Sequence, residues 1–242
     1  MRQFKNCVQM IKEMPREVFV RGIAARDASI QGQIIDSKDF DQKELFGVAY
    51  IINNTNDKDE MLEVAKGMFK LEHIRKEVGD KWFDEMISNP TTKEEWWHLT
   101  NNTSEYHKKF CDYGNGYSSY GYGAKIIPQL PGLFARLRGN IYARGAYITL
   151  FDSSDIWKIG LRVSCTLCYG FSVRKTLNGN EMTMIIHQRS CDLASFFALD
   201  VYKAIKLLEY VAGVVGVKSG KLIHFVDSLH CYRKDFPENM TW

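Results

Sequence analysis

Apolar positions along the chain follow two rhythms, one of period near 3.6 and one of period two, and these divide it into helices and strands. Residues 1–14 predict a short amphipathic helix that stops at Pro15. From Val18 to Tyr50, the β-prone runs VFVRGI, SIQGQII and FGVAYII alternate with polar turns and predict strands. Residues 57–88 carry Glu, Lys, Met and Leu at helical spacing, and Asn89-Pro90 ends that stretch. Thr91 or Thr92, with Glu94 or Glu95 three residues on, would cap a further helix carrying EEWWHL. A Gly/Tyr/Ser loop at 113–123 precedes a helix (130–138), a strand (145–151) and two strands (162–175 and 181–189) about the Asn178-Gly179 turn. Residues 197–215, FALDVYKAIKLLEYVAGVV, predict a long buried helix, and KLIHFVDSLHCY a last strand. No repeat or linker interrupts this order, so one α+β domain over residues 1–242 is expected, with 53–93 read as a helical insertion.

Composition narrows the class. Apolar residues make up 45% and charged residues 25%, which is globular composition and argues against disorder. A formal charge of +3 is too small to imply a stable nucleic-acid partner, though it favours an anionic ligand such as a nucleotide phosphate. No run approaches the roughly 20 apolar residues of a membrane span, and the N-terminus lacks a signal-peptide core. Six cysteines are too few for a disulfide scaffold, so a cytoplasmic protein with reduced thiols is expected.

Two segments carry candidate chemistry. In SCTLCYGF (164–171), Cys165 and Cys168 read as small buried strand residues, as metal ligands, as a redox pair, or as one thiolate nucleophile. A zinc site needs a second ligand pair, and no second C-x-x-C exists. A redox pair should open a helix, whereas β-prone residues follow here. In HQRSCD (187–192), Arg189, Ser190 and Asp192 end an apolar strand. An arginine beside a cysteine favours the thiolate and can also hold a phosphate by a bidentate fork.

With these residues in view, the chain resembles the thymidylate synthase superfamily. That family has a Gln-Arg-Ser-x-Asp strand end about two dozen residues after its cysteine, then a long helix and an Asp-Ala-His-x-Tyr strand. Here stand Cys165, Gln188-Arg189-Ser190-Cys191-Asp192 and Asp227-Ser228-Leu229-His230-Cys231-Tyr232. Gly216, Lys218, Gly220 and His224 match a further Gly-x-Lys-x-Gly-x-x-x-His run. Glu94-Glu95-Trp96-Trp97-His98-Leu99 resembles the segment with the family's catalytic glutamate, and Tyr120-Gly121 its Tyr-Gly loop. The resemblance implies a single-domain fold whose mixed sheet, packed with helices, forms the interface of a homodimer.

Two departures point to the branch that hydroxymethylates cytosine nucleotides. Where the synthases have a uracil-reading asparagine, this chain has Asp200, as in the cytidylate hydroxymethylases. A carboxyl group suits cytosine, accepting from N4–H while a proton is shared with N3. Cys165-Thr166 also replaces the synthases' Cys-His. The resemblance implies that Cys165 adds to C6 of a dCMP or CMP base and that 5,10-methylenetetrahydrofolate supplies the one-carbon unit. Hydration then gives 5-hydroxymethyl. Glu94 would relay protons, and Asp192 would engage the pterin or orient the base. Arg189 and Ser190 would bind phosphate, His230 and Tyr232 the sugar, and Tyr120 would line the pocket. Arg144 would reach a partner subunit's phosphate in trans; of the remaining candidates Arg138, Arg21 and Arg26, Arg21 is favoured because it lies on a strand-like run. The last residues, PENMTW, imply a shortened closing tail. The alternatives are a methyl-forming enzyme of the superfamily and a non-catalytic nucleotide- or RNA-binding homologue.

Overall fold

The computed structural model describes residues 1–25, 29–30, 33–34, 37–88, 122–157 and 163–237. Glu94, Tyr120, Arg26 and the PENMTW tail beyond Pro237 lie outside the described residues.

The N-terminal helix α1 runs Cys7–Arg21, past Pro15. A proline in a helix interior removes one hydrogen bond, yet Met10, Ile11, Met14, Val18 and Phe19 lie buried at helical spacing on both sides of it. Burial of that continuous stripe outweighs the missing bond, so the expected stop at Pro15 does not occur. Asn6 caps the helix by accepting from the Gln9 N–H at 2.9 Å. The Asp57 carboxylate accepts from the Cys7 and Val8 N–H groups, each at 3.0 Å, and so pins this helix end to a distant part of the chain. Arg21 therefore ends a helix rather than lying on a strand, and the expectation for VFVRGI is corrected accordingly.

Residues 57–88 also differ from the single stretch expected. Helix α2 (Lys58–Phe69) closes on Lys70 in the left-handed conformation, at φ 55°, and α3 (Lys76–Ser88) follows. Lysine at that position gives no sequence signal of a break. Both helices and the turn between them put apolar side chains, among them Met61, Leu62, Phe69, Ile74 and Val78, into the same core as α1. They are part of the main layer. After helices α4 (Tyr122–Ile126) and α5 (Leu130–Gly139), joined by a 3-10 turn over Ile127–Gln129, the long helix α6 runs Phe197–Val215, as expected from its apolar text. Gly216 closes α6 at φ 78°, donating its N–H back to the Ala212 and Gly213 carbonyls.

Among the described residues the strands are β1 (Arg2–Phe4), β2 (Ile23–Ala25), β3 (Ser29–Ile30), β4 (Gln33–Ile34), β5 (Gln42–Ile52), β6 (Tyr147–Thr149), β7 (Thr166–Thr176), β8 (Gly179–Gln188), β9 (Cys191–Asp192) and β10 (Lys218–Tyr232). All but the β3–β4 hairpin join one mixed sheet in the order β1-β5-β10-β8-β7-β6, with β2 on β5 and β9 on β10. β10 is parallel to β8 and β9, and antiparallel to β5. One sheet face packs under the helices through Tyr50, Ile52, Met182, Met184, Ile186, Leu222 and Val226. On the other face Ile51, Ile223 and Ile185 align across three strands and stay half-buried, and His187 stacks on Phe225 at 4.8 Å. No helix among the described residues is long and apolar enough to cross a membrane.

Candidate active site at the end of the central strands

The site is built where β8 ends, β7 begins and α6 starts. Strand β7 holds one extra residue, Leu167: Thr166 pairs with Gln188, but Cys168 already pairs with His187. Such a bulge shifts side chains from one face to the other. Thr166 consequently lies buried with Gln188, and Cys168 falls in register with His187 on the opposite face. Cys165, immediately before the bulge, is half-buried. The C-x-x-C pair is thus divided between environments, and burial pushes the Cys168 thiol above its ordinary range.

Arg189 is locked to the segment before Cys165. Its Nε donates to the Ser164 carbonyl and its Nη2 to the Val163 carbonyl, both at 3.0 Å. Nη2 also lies 3.8 Å from Cys165 Sγ, and the Arg189 N–H donates to the Cys165 carbonyl at 2.9 Å. A fixed guanidinium beside a sulfur stabilises the thiolate over the thiol. The adjacency suggested by the sequence is therefore met in space.

Behind them runs a chain of buried polar groups. Tyr50 Oη lies 2.6 Å from His224 Nδ1, and His224 Nε2 lies 2.7 Å from Gln188 Oε1. The Gln188 amide donates to Thr166 Oγ1 at 3.2 Å and to Asp200 Oδ2 at 2.9 Å. Because the Gln188 oxygen only accepts, His224 carries its proton on Nε2 and receives the Tyr50 hydroxyl on Nδ1. Full burial pushes the His224 imidazole down to about 3, so it is neutral here.

Asp200, in the first turn of α6, points into this chain. Its Oδ1 pairs with Lys203 Nζ at 2.7 Å, with the lysine side chain only 6% exposed and the aspartate 21%. Lys203 Nζ also stands 5.9 Å from the centroid of the Tyr122 ring. Tyr122 Oη accepts from the Thr166 N–H at 3.4 Å, which ties the Lys203–Asp200 pair to the cysteine segment. Burial, and then the nearby Cys165 and Asp200, hold the Tyr122 phenol well above its usual range.

On the far side, Asp192 shapes the turn into α6: Oδ1 accepts from the Ala194 and Ser195 N–H groups at 3.0 and 3.2 Å. The carbonyl of His230 accepts from the Leu193 N–H at 2.7 Å, joining β10 to that turn. His230 and Tyr232 are both buried, with rings edge-on at 5.2 Å. Burial lowers the His230 imidazole, against the upward pull of Asp192 and Glu44. Ser190 sits half-buried between β8 and β9.

The structure therefore gathers Cys165, Arg189, Ser190, Asp192, Asp200, His230 and Tyr232 around adjoining strand ends and the start of α6. It does not bring Arg144 or Arg21 into that group. Arg144 is exposed on the turn before β6, and Arg21, its side chain 72% exposed, pairs with Glu17 at 2.9 Å. Sequence reasoning missed Tyr50, Tyr122, Lys203 and the bridging role of Gln188. Tyr122-Gly123 repeats the Tyr-Gly dipeptide of 120–121, and Lys203 follows Asp200 by one helical turn within a mostly apolar stretch; both were available signals.

The thymidylate synthase family model matches residues 56–241. A thymidylate synthase of Rhizorhabdus wittichii is 25% identical over 172 residues, covering 67% of this chain and 53% of that protein. Those of Pasteurella multocida and Idiomarina loihiensis are each 27% identical, over 108 and 106 residues; the matches cover 45% and 44% of this chain and 36% of each relative. The chain thus spans between about a third and about half the length of these curated relatives.

Proposed function

We propose, from the premise that the chain belongs to the thymidylate synthase family, that it transfers a one-carbon unit to C5 of a cytosine nucleotide, dCMP or CMP, with hydration to 5-hydroxymethyl. The folate cosubstrate, 5,10-methylenetetrahydrofolate, supplies that carbon at the oxidation level of formaldehyde. The observation carrying the base assignment is Asp200, a carboxylate facing the same strand ends as Cys165 and held as an acceptor by Gln188.

In this reading the Cys165 thiolate, favoured by Arg189, adds to C6 of the ring and makes C5 nucleophilic. Asp200 accepts from the exocyclic amine, which uracil lacks; the same carboxylate facing uracil O4 would leave two acceptors opposed. Arg189 and Ser190 take the phosphate, His230 and Tyr232 the sugar, and Tyr120 lines the pocket. Asp192 engages the pterin or orients the base, and Glu94 moves protons during elimination and hydration. The half-buried isoleucines on the reverse sheet face support a homodimer, in which Arg144 from one subunit reaches the other's phosphate. Arg21 is the weaker phosphate candidate, since it sits on an exposed helix end paired with Glu17.

The test is incubation with methylenetetrahydrofolate and C5-tritiated dCMP, CMP or dUMP. Tritium release from a cytosine nucleotide without an absorbance rise from dihydrofolate is expected. Release only from dUMP, with dihydrofolate formed, would instead favour the methyl-forming activity for which the curated relatives are named. No release from any nucleotide would favour a non-catalytic binder.

A further inference from the structure

We propose that Lys203 reads the base jointly with Asp200, its ammonium donating to ring N3 while the carboxylate accepts from the exocyclic amine. The inference rests on cytosine being the substrate base, and it replaces the proton shared between carboxyl and N3 with a cation already in place.

Lys203 lies on α6 with its side chain only 6% exposed. An ammonium in such surroundings costs several kcal/mol to desolvate unless it is paired, and packing alone would be met better by an apolar side chain. Its Nζ is turned to the Asp200 carboxylate and lies near the Tyr122 ring, the two groups that join α6 to the Cys165 segment. Asp200 does not lack for a partner without it, because Gln188 already donates to Oδ2. The lysine thus adds a positive donor beside an acceptor that the buried chain has already oriented.

The geometry suits one base edge. N3 and the exocyclic N4 of cytosine hang from a single ring carbon, so their protein partners must stand side by side. Asp200 Oδ1 and Lys203 Nζ stand 2.7 Å apart. Neutral cytosine offers a donor at N4 and an acceptor at N3, and an ionised carboxylate has no hydrogen for N3. An ammonium does. Uracil, with an acceptor at position 4 and a donor at position 3, meets this pair the wrong way round. A cation at N3 also draws electron density from the ring, which makes C6 more open to attack by the Cys165 thiolate.

The experiment compares binding of dCMP and 3-deaza-dCMP, in which N3 is replaced by C–H, to the full chain by titration calorimetry. The wild type is expected to bind dCMP about 10- to 100-fold more tightly, the range for a hydrogen bond to a charged group. Lys203→Met should bring the two ligands close to parity by weakening dCMP, and Lys203→Gln, which keeps an N–H donor, should restore part of the preference. Equal binding of both ligands by the wild type, or an undiminished preference in Lys203→Met, overturns the proposal. The wild-type comparison stands even if a variant fails to fold. A wild type that prefers dUMP to dCMP overturns the choice of base itself; one that prefers dCMP but ignores N3 overturns only the role given to Lys203.

Discussion

His224 Nε2 lies 2.7 Å from Gln188 Oε1, and this one contact sets the direction of every hydrogen bond from Tyr50 to Asp200. With the Gln188 oxygen turned to the imidazole, its nitrogen serves the carboxylate and Thr166. Tyr50→Phe removes the hydroxyl at the far end and leaves a buried imidazole nitrogen without its donor, at a cost of about 1–3 kcal/mol. Gln188 still holds the proton on Nε2, so nucleotide affinity should change far less than the urea midpoint. Comparable losses in both would show that the chain is not anchored at Gln188.

The same imidazole ties stability to pH. His224 is held at about 3 in the fold, against an ordinary value of 6.5. A depressed histidine stabilises the fold through its neutral form, so its contribution is complete above the ordinary value and is lost as pH falls toward the folded one. Burial moves His230 and His73 in the same direction. The urea midpoint is expected to drop between about pH 7.5 and pH 5, and less steeply in His224→Asn. Parallel profiles for the two proteins would assign the acid sensitivity to other groups.

Arg189→Lys should separate charge from shape. Lysine keeps the positive charge but cannot grip the Val163 and Ser164 carbonyls as the guanidinium does. The segment carrying Cys165 loses its brace and the phosphate loses a fork. The KM for nucleotide is expected to rise about 10- to 100-fold, in line with loss of a charged hydrogen bond. Alkylation of Cys165 by iodoacetamide at fixed pH should slow; an unchanged rate would mean that positive charge alone, and not the fixed guanidinium, acts on the thiolate.

Packing of α3 against α6 is testable at Gly79. A methyl group there would sit 2.5 Å from the ring of Tyr202, whose hydroxyl donates to Asp80 at 2.9 Å and helps dock α3 against α6. Gly79→Ala is expected to cost about 1–3 kcal/mol by overpacking, read as a lower thermal midpoint. A neutral result would show that the ring can turn aside.

Much of this architecture was legible because its signals are local. The 197–215 helix matched its apolar text, and the β7–β8 hairpin followed from Asn178-Gly179, with Gly179 at φ 104°. Elsewhere long-range contact decided the outcome. Nothing near Pro15 says that the helix continues; the buried stripe on either side does. Lys70 takes a left-handed conformation that its type does not advertise. The motif residues Arg189, Asp192 and His230 were readable one by one, but Tyr50 and His224 stand 174 positions apart in sequence and join only once β5 pairs with β10. The unbroken apolar run VAYII marks a strand and says nothing about which face Tyr50 takes or what its hydroxyl meets.

Leu167 shows how one residue can uncouple two selective demands. Upstream of it the strand is in step with the chemistry, and downstream it is in step with whatever covers the reverse face. Deleting this single position would leave Thr166 opposite Gln188, directly before Cys168, and would take away the local bend that the extra residue gives the strand beside Cys165. A change at that point should therefore act through the direction in which Cys165 is presented, and not through the face that Thr166 takes.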